Sequence, residues 1–399
     1  MPEERILMKG NEAIAEAAIR AGCRAYFGYP ITPQSEIPAY MAKHMLARHR
    51  TFIQAESETA AVIMAYGAAA AGARTMTSSS SPGISLKQEG ISYLCGADLP
   101  CVIVNVARSG PGLGGISAAQ GDYFQATRGG GHGDYYHIVL APKSVQESAD
   151  LTFEAFELAD RWRMPVMILA DGLIGQMLEA VVLPKAIELS ALPPKPWAVG
   201  NQAETGRPNN HVSSINLVPI ELEASVVKRF ERYAEIRKKE VRYEEVNVDK
   251  ADLILVGYGT SSRVALGALE AARNEGIELG LFRPVSLWPF PEKRVAELAA
   301  RGKKFLVVEM SMGQMVEDVR LASNGKTDVF FFGRCGGIIP TEEEVLASSK
   351  AVLAGHAKPF GLGDGPFGLG DGPFGLGDGP FGLGDGPFGL GDGPFGLLQ

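Results

Sequence analysis

Cysteine is scarce in this chain. Four residues in 399, Cys23, Cys95, Cys101 and Cys335, lie far apart with no C-x-x-C and no histidine pair beside any of them. That spacing argues against a zinc site, an iron–sulfur cluster or a disulfide framework. His132 and His137 stand close together, but without a third ligand they read as surface or loop residues. Long apolar runs are missing too. The longest small and apolar stretch, Ala60 to Ala73, is interrupted by Tyr66, Gly67 and Gly72, too short and glycine-rich for a bilayer. The first residues, MPEER, lack the basic and then apolar pattern of a signal peptide, so the expectation is a cytoplasmic protein with no membrane partner. No basic stripe points to nucleic acid. The formal charge of -8 is mostly local: five aspartates, Asp364, Asp371, Asp378, Asp385 and Asp392, fall in the last forty or so residues, which carry no Lys or Arg.

Those last residues are the plainest repeat. PFGLGDG occurs five times from Pro359, and PFGLLQ ends the chain. Three glycines and one proline per seven residues cost more chain entropy than one Phe and one Leu return, so the tail is expected to be disordered. Each "GDG" resembles the opening of a thiamine-diphosphate motif. No apolar strand precedes it and no asparagine follows Asn324, so these copies are decoys.

Upstream, strands and helices alternate. Ala13, Ile14, Ala17, Ala18 and Ala21 share one helical face that Gly22 closes. Ala25–Phe27, Phe52–Gln54, Arg74–Thr77 and "CVIVNVA" (Cys101 to Ala107) read as strands, with helices expected over 41–46, 59–71 and 84–94. "HIVLA" and "VMILA" repeat the continuous apolar pattern of buried parallel strands around a helix over 145–161. The expected fold is therefore α/β, with a doubly wound domain over residues 1–182. Residues 183–248 are rich in Pro, Gly and Asn and then in charge, and read as a linker and crossover helix. A second α/β unit follows over 249–355, and the repeat tail occupies 356–399.

In open parallel sheets, ligands sit beyond the carboxyl ends of the strands. Four polar features fall there: Thr32, Glu58, the run Ser78–Ser81 and Arg108. Thr32 stands between two prolines in "GYPITPQSE". Pro38 fits best as the third residue of a helix capped by Ser35, which frees Thr32 from capping and presents its hydroxyl. Glu58 opens "ETAAVIMAYGAAAAGA", whose small side chains let another backbone approach and exclude water. Glu56 is its rival, and the residues alone favour neither. Arg108 ends an apolar strand and its planar fork suits a carboxylate or phosphate, against a surface ion pair as the plain alternative. "GPGLGG" from Gly110 formally matches a dinucleotide fingerprint, but Arg108 and Ser109 intervene, Pro111 stiffens the turn and the required acid is missing. No G-x-S-x-G occurs, so the serines read as a loop of hydrogen-bond donors.

The blocks "KGNEAIAEAAIRAGC", "GYPITPQSE", "QAESETAA", "TSSSSPGISLKQEGISYL", "RSGPGLGG" and "GGGHGDY" together resemble the alpha subunit of 2-oxoacid:ferredoxin oxidoreductases, most of all the 2-oxoisovalerate (3-methyl-2-oxobutanoate) type. The likeness runs from about Lys9 to about Leu353. "LFRPVSLWPFP" looks like a transketolase C-terminal-type domain. The resemblance implies a pyrimidine-binding thiamine-diphosphate domain. Thr32 would face the substrate side of the cofactor within the stretch Tyr29, Pro30, Ile31 and Thr32. Glu58, counted back from Gly72, would bind N1′ of the aminopyrimidine, and Arg108 would pair with the oxoacid carboxylate.

The implied reaction is oxidative decarboxylation of a branched-chain 2-oxoacid to acyl-CoA, with coenzyme A as co-substrate and ferredoxin as acceptor. A carboxyl at N1′ suits this chemistry because it promotes loss of the cofactor's C2 proton. "LADGLIG" ends a strand in Asp171-Gly172 but has no well-spaced asparagine after it. Thiamine diphosphate would therefore be shared with a diphosphate-binding beta subunit carrying Mg2+, alongside a gamma subunit and a ferredoxin-like subunit carrying iron–sulfur clusters. Pyruvate or 2-oxoglutarate is the alternative substrate. A non-catalytic assembly subunit and a nicotinamide dehydrogenase are the readings from other classes.

Overall fold

The computed structural model describes residues 5–200, 203, 206 and 208–361. Its larger sheet has seven strands, in spatial order β12 (Ser286–Trp288), β6 (Ile138–Leu140), β7 (Pro165–Asp171), β5 (Cys101–Ala107), β4 (Thr75–Ser79), β2 (Ala25–Gly28) and β3 (Thr51–Gln54). All pairings are parallel except that of β12 with β6. β5 and β7 are buried along their whole length, as expected of apolar runs covered by helices on both faces.

The helices of this unit are α1 (Gly10–Arg20), α2 (Glu36–Ala47), α3 (Glu58–Ala70), α4 (Ser81–Gly96), α5 (Tyr123–Arg128), α6 (Val145–Trp162) and α7 (Gly172–Gln176). Gly22 follows α1 at φ +84°, a conformation that favours glycine. A short antiparallel pair, β1 (Ile6–Lys9) with β8 (Leu178–Val181), closes one side.

The second sheet runs β14 (Val329–Gly333), β13 (Lys304–Glu309), β10 (Leu253–Val256), β11 (Leu279–Pro284) and β9 (Tyr243–Val246). Only β9 is antiparallel to its neighbour. α8 (Pro219–Lys239) precedes this sheet, and α9 (Gly259–Asn274), α10 (Glu292–Ala300), α11 (Met315–Ser323) and α12 (Glu342–Leu353) belong to it. Among the described residues no helix is long and apolar enough to cross a membrane.

Four expectations need correction. The charged segment after Val226 is helical only to Lys239. Glu244 and Glu245 instead join a strand, where Arg283 and Arg294 pair with them. "LFRPVSLWPFP" does not stay in the second unit: β11 does, but β12 joins the first sheet, and Trp288 stacks on Tyr136 at 5.0 Å beneath Tyr233 of α8. His137 lies in a loop, before β6, but not at the surface. It is 2% exposed, and neither ring nitrogen has a hydrogen-bond partner, whereas His132 is exposed. The tail's first repeat is partly ordered, since the Phe360 N–H donates to Val329 O at 2.7 Å and its ring lies 5.9 Å from Phe331. Residues 362–399, the rest of the tail, lie outside the described residues.

Candidate active site

The loop after β2 is held from three directions. Gln34, fully buried, donates to Tyr29 O at 3.3 Å and accepts from Ser78 Oγ at 2.6 Å, and Ser78 in turn meets Tyr26 Oη at 2.7 Å. Asn11 and Gln176 both donate to Pro33 O, at 2.8 and 3.0 Å. Arg108 donates to Thr32 O at 2.9 Å. These bonds fix the backbone at Thr32 while its side chain stays exposed, with no hydrogen bond to its hydroxyl among the described residues. Tyr29 and Ile31 are half-buried and Pro30 is exposed. Pro38 is the third residue of α2, but Ser35 makes no side-chain cap.

Glu58 is the first residue of α3, whose cap is Ser57 accepting from Ala60 N at 3.1 Å. Glu58 is buried and Glu56 is exposed. Facing Glu58, α4 carries Gly83, where a Cβ would lie 2.7 Å from Glu58 Oε1 and 2.0 Å from Ser79 Oγ. Glycine at this position lets α4 pack directly against the Glu58 and Ser79 side chains. Ser79 Oγ is buried beside Gly83 without a hydrogen-bond partner.

The serine run is not a loop. Ser78 and Ser79 belong to β4, Ser80 flanks α4 and Ser81 begins it. Ser81 Oγ donates to Asp122 at 2.6 Å and accepts from Arg108 N at 2.9 Å, while Asn105 Nδ2 donates to Asp122 at 2.8 Å. Burial raises the Asp122 carboxyl above the ordinary aspartate range, and the bonds from Ser81 and Asn105 oppose that shift. Asn105, Asp122, Gln34 and Ser81 form this scaffold without having been singled out as individual residues by sequence. Asn105 was the detectable one, as the single polar residue in "CVIVNVA".

Arg108 follows the last residue of β5 and is itself only 7% exposed, so it continues the buried run and is no surface ion pair. Its NH1 and NH2 nitrogens donate to Thr32 O and Leu113 O, both at 2.9 Å, and its Nε is buried without a partner. The other buried arginines, Arg74, Arg229 and Arg283, each pair with a carboxylate. Among the described residues no carboxylate pairs with Arg108. A desolvated cation without a counter-ion is costly unless an anion joins it.

The remaining motifs resolve structurally. "GPGLGG" folds back on itself: Gly114, at φ +57°, has no room for a Cβ against Ser109 O, and Ser109 N donates to Ser117 O at 2.9 Å. No helix begins there, so the dinucleotide geometry is missing. Asp171 caps α7 by accepting from Leu173 N and Ile174 N, and Thr260 of α9 donates to it at 2.9 Å. Burial raises its carboxyl, and these bonds oppose the shift.

A thiamine pyrimidine fits the donor set, a buried carboxyl on Glu58 and a buried, unpartnered hydroxyl on Ser79, both at the carboxyl ends of the strands. The fold and this edge define a thiamine-diphosphate-binding α/β protein. The family pattern described as pyruvate flavodoxin/ferredoxin oxidoreductase, thiamine diphosphate-binding, matches residues 16–246. Pyruvate:ferredoxin oxidoreductase core domain II matches residues 251–345. The chain belongs to this family, the 2-oxoacid:ferredoxin oxidoreductases, as a subunit of an oxidoreductase.

Among its relatives, ketoisovalerate oxidoreductase subunit VorB of Methanothermobacter thermautotrophicus is 54% identical over 347 residues, covering 87% of this chain and 97% of that protein. The 2-oxoglutarate synthase subunit KorA of Methanothermobacter marburgensis is 36% identical, over 86% of this chain and 98% of that protein. A solved 2-oxoglutarate:ferredoxin oxidoreductase from Magnetococcus marinus, with 2-oxoglutarate, coenzyme A and succinyl-CoA bound, superposes with a TM-score of 0.75 at 26% identity. That match covers 88% of this chain and 65% of that one. A split-gene transketolase shares the fold at 13% identity and a TM-score of 0.52.

Proposed function

We propose that the chain is the alpha subunit of a thiamine-diphosphate-dependent 2-oxoacid:ferredoxin oxidoreductase that converts a branched-chain 2-oxoacid to acyl-CoA and CO2. The observation that carries this reading is Arg108, desolvated, unpaired and bonded to the backbone of Thr32. When bound, thiamine diphosphate supplies the nucleophilic carbon and the electron sink for decarboxylation.

The chain's own residues do the rest. Glu58 shares a proton with N1′ of the aminopyrimidine. The Tyr29–Thr32 loop would line the cofactor, with the Thr32 hydroxyl on its substrate side. The Arg108 fork pairs with the substrate carboxylate and orients the bond to be broken. The diphosphate and its Mg2+ belong to a beta subunit. Iron–sulfur clusters on a ferredoxin-like subunit carry electrons to ferredoxin, a gamma subunit completes the complex, and coenzyme A is the acyl acceptor. The ketoisovalerate relative at 54% identity supports the branched-chain choice over 2-oxoglutarate.

Assaying the assembled complex with a panel of oxoacids tests the assignment. The expected order of kcat/KM places 3-methyl-2-oxobutanoate first. Preference for 2-oxoglutarate or pyruvate overturns the substrate, and no turnover with any oxoacid overturns the function.

A further inference from the structure

Lys87 lies in α4 and is fully buried. Its Nζ donates to Thr77 Oγ1 at 2.8 Å and to the carbonyl of Glu58 at 3.3 Å. Thr77 Oγ1 passes the contact on, donating to Phe27 O at 2.7 Å. Phe27 stands one residue before Gly28, the last residue of β2, after which the loop carrying Thr32 begins. One ammonium therefore ties the start of α3, the strand β4 and the end of β2, the elements that present Glu58 and Thr32.

We propose that Lys87 is a positioning residue for the cofactor-facing glutamate, fixing the Glu58 backbone and supplying the positive charge against which its carboxylate works. This rests on the reading of Glu58 given above. Among the described residues, no carboxylate lies within ion-pair distance of Lys87, and no hydrogen bond reaches the Glu58 carboxyl. The ionisable groups facing Lys87 are Glu58 from α3 and Cys101 from β5. Burial pushes the Cys101 thiol up to about 11, so Cys101 is neutral at physiological pH.

An apolar side chain would fill the position without the desolvation cost. Burial pushes the Lys87 ammonium down to about 8, with Glu58 and Cys101 opposing. Below that value the folded chain holds a desolvated cation and the stability penalty is complete. As pH rises from about 8 toward the ordinary lysine value, the folded chain gives up the proton before the unfolded chain does, and the penalty fades.

The test compares the full chain, without cofactor, as wild type, Lys87→Met and Glu58→Gln. Lys87→Met should raise the Tm at pH 7, with the gain shrinking between about pH 8 and 10.5. In 15N-lysine NMR of the wild type, the Lys87 signal should titrate near 8, and Glu58→Gln should move that midpoint lower. This measurement stands even if Lys87→Met does not fold. In the assembled complex, Lys87→Met should slow cofactor C2-proton exchange by roughly tenfold, and the double variant should lose no more than Glu58→Gln alone. Unchanged exchange in Lys87→Met, or a Lys87 midpoint indifferent to Glu58→Gln, overturns the proposal. If Glu58→Gln itself exchanges normally, the reading of Glu58 has failed and the role of Lys87 falls with it.

Discussion

The guanidinium of Arg108 donates to the carbonyl oxygen of Thr32 at 2.9 Å, joining the loop after β5 to the loop after β2. Two residues 76 apart in sequence are thereby placed at one sheet edge. The bond leaves Nε of the arginine buried without a partner and the hydroxyl of the threonine exposed without a hydrogen bond.

Arg108→Ala should raise KM for the oxoacid and lower kcat/KM, by an amount corresponding to roughly 2–5 kcal/mol for a buried charge left unpaired. Arg108→Lys should recover part of this, because a point charge replaces the fork that reaches both carbonyls. Steady-state kinetics of the complex decide the matter. Wild-type behaviour in both variants would leave Arg108 a packing residue.

Glu58→Gln should assemble with its partner yet lose most C2-proton exchange, since an amide cannot share a proton with N1′. Glu56→Gln should be mild, in keeping with its exposed position. Exchange followed by proton NMR in the complex separates the two, and the reverse ranking would move the role to Glu56.

His137 gives the fold an acid-sensitive point. Burial pushes its imidazole down to about 4, and neither nitrogen has a partner. The neutral ring is fully tolerated above its ordinary value near 6.5. As pH falls from about 6.5 to 4 the unfolded chain takes the proton first, and stability drops by up to ~3 kcal/mol. His137→Phe should remove that part of the loss. Urea midpoints at pH 7 and pH 4.5 measure it, and an identical acid loss in both proteins would contradict this account of His137.

Much of this was legible in the sequence because the signals were local. The apolar runs at Cys101–Ala107 and Pro165–Asp171 announce buried parallel strands, and both are buried throughout. Pro38 alone places the start of α2. What escaped depends on long-range pairing. β12 is three residues that cross to the other unit's sheet, and β9 is a charged strand whose Glu244 and Glu245 are matched by distant arginines. The burial of His137 and Arg108 escaped for the same reason, since neither residue type reports what packs over it. The scaffold of Gln34, Asn105 and Asp122 is assembled from three separate segments, and only the lone asparagine in β5 hinted at it.

On the proposed function, this chain carries the pyrimidine half of a shared thiamine-diphosphate site. Titration calorimetry of thiamine diphosphate with Mg2+ tests it most directly, first into the chain alone and then into the chain with its beta partner. The diphosphate and metal contacts dominate affinity, and Asp171, the residue here that most resembles a diphosphate ligand, already caps α7 and binds Thr260. The chain alone should show no tight binding, and a tight site should appear once the partner is added. Tight, magnesium-dependent binding by the isolated chain would contradict the proposal.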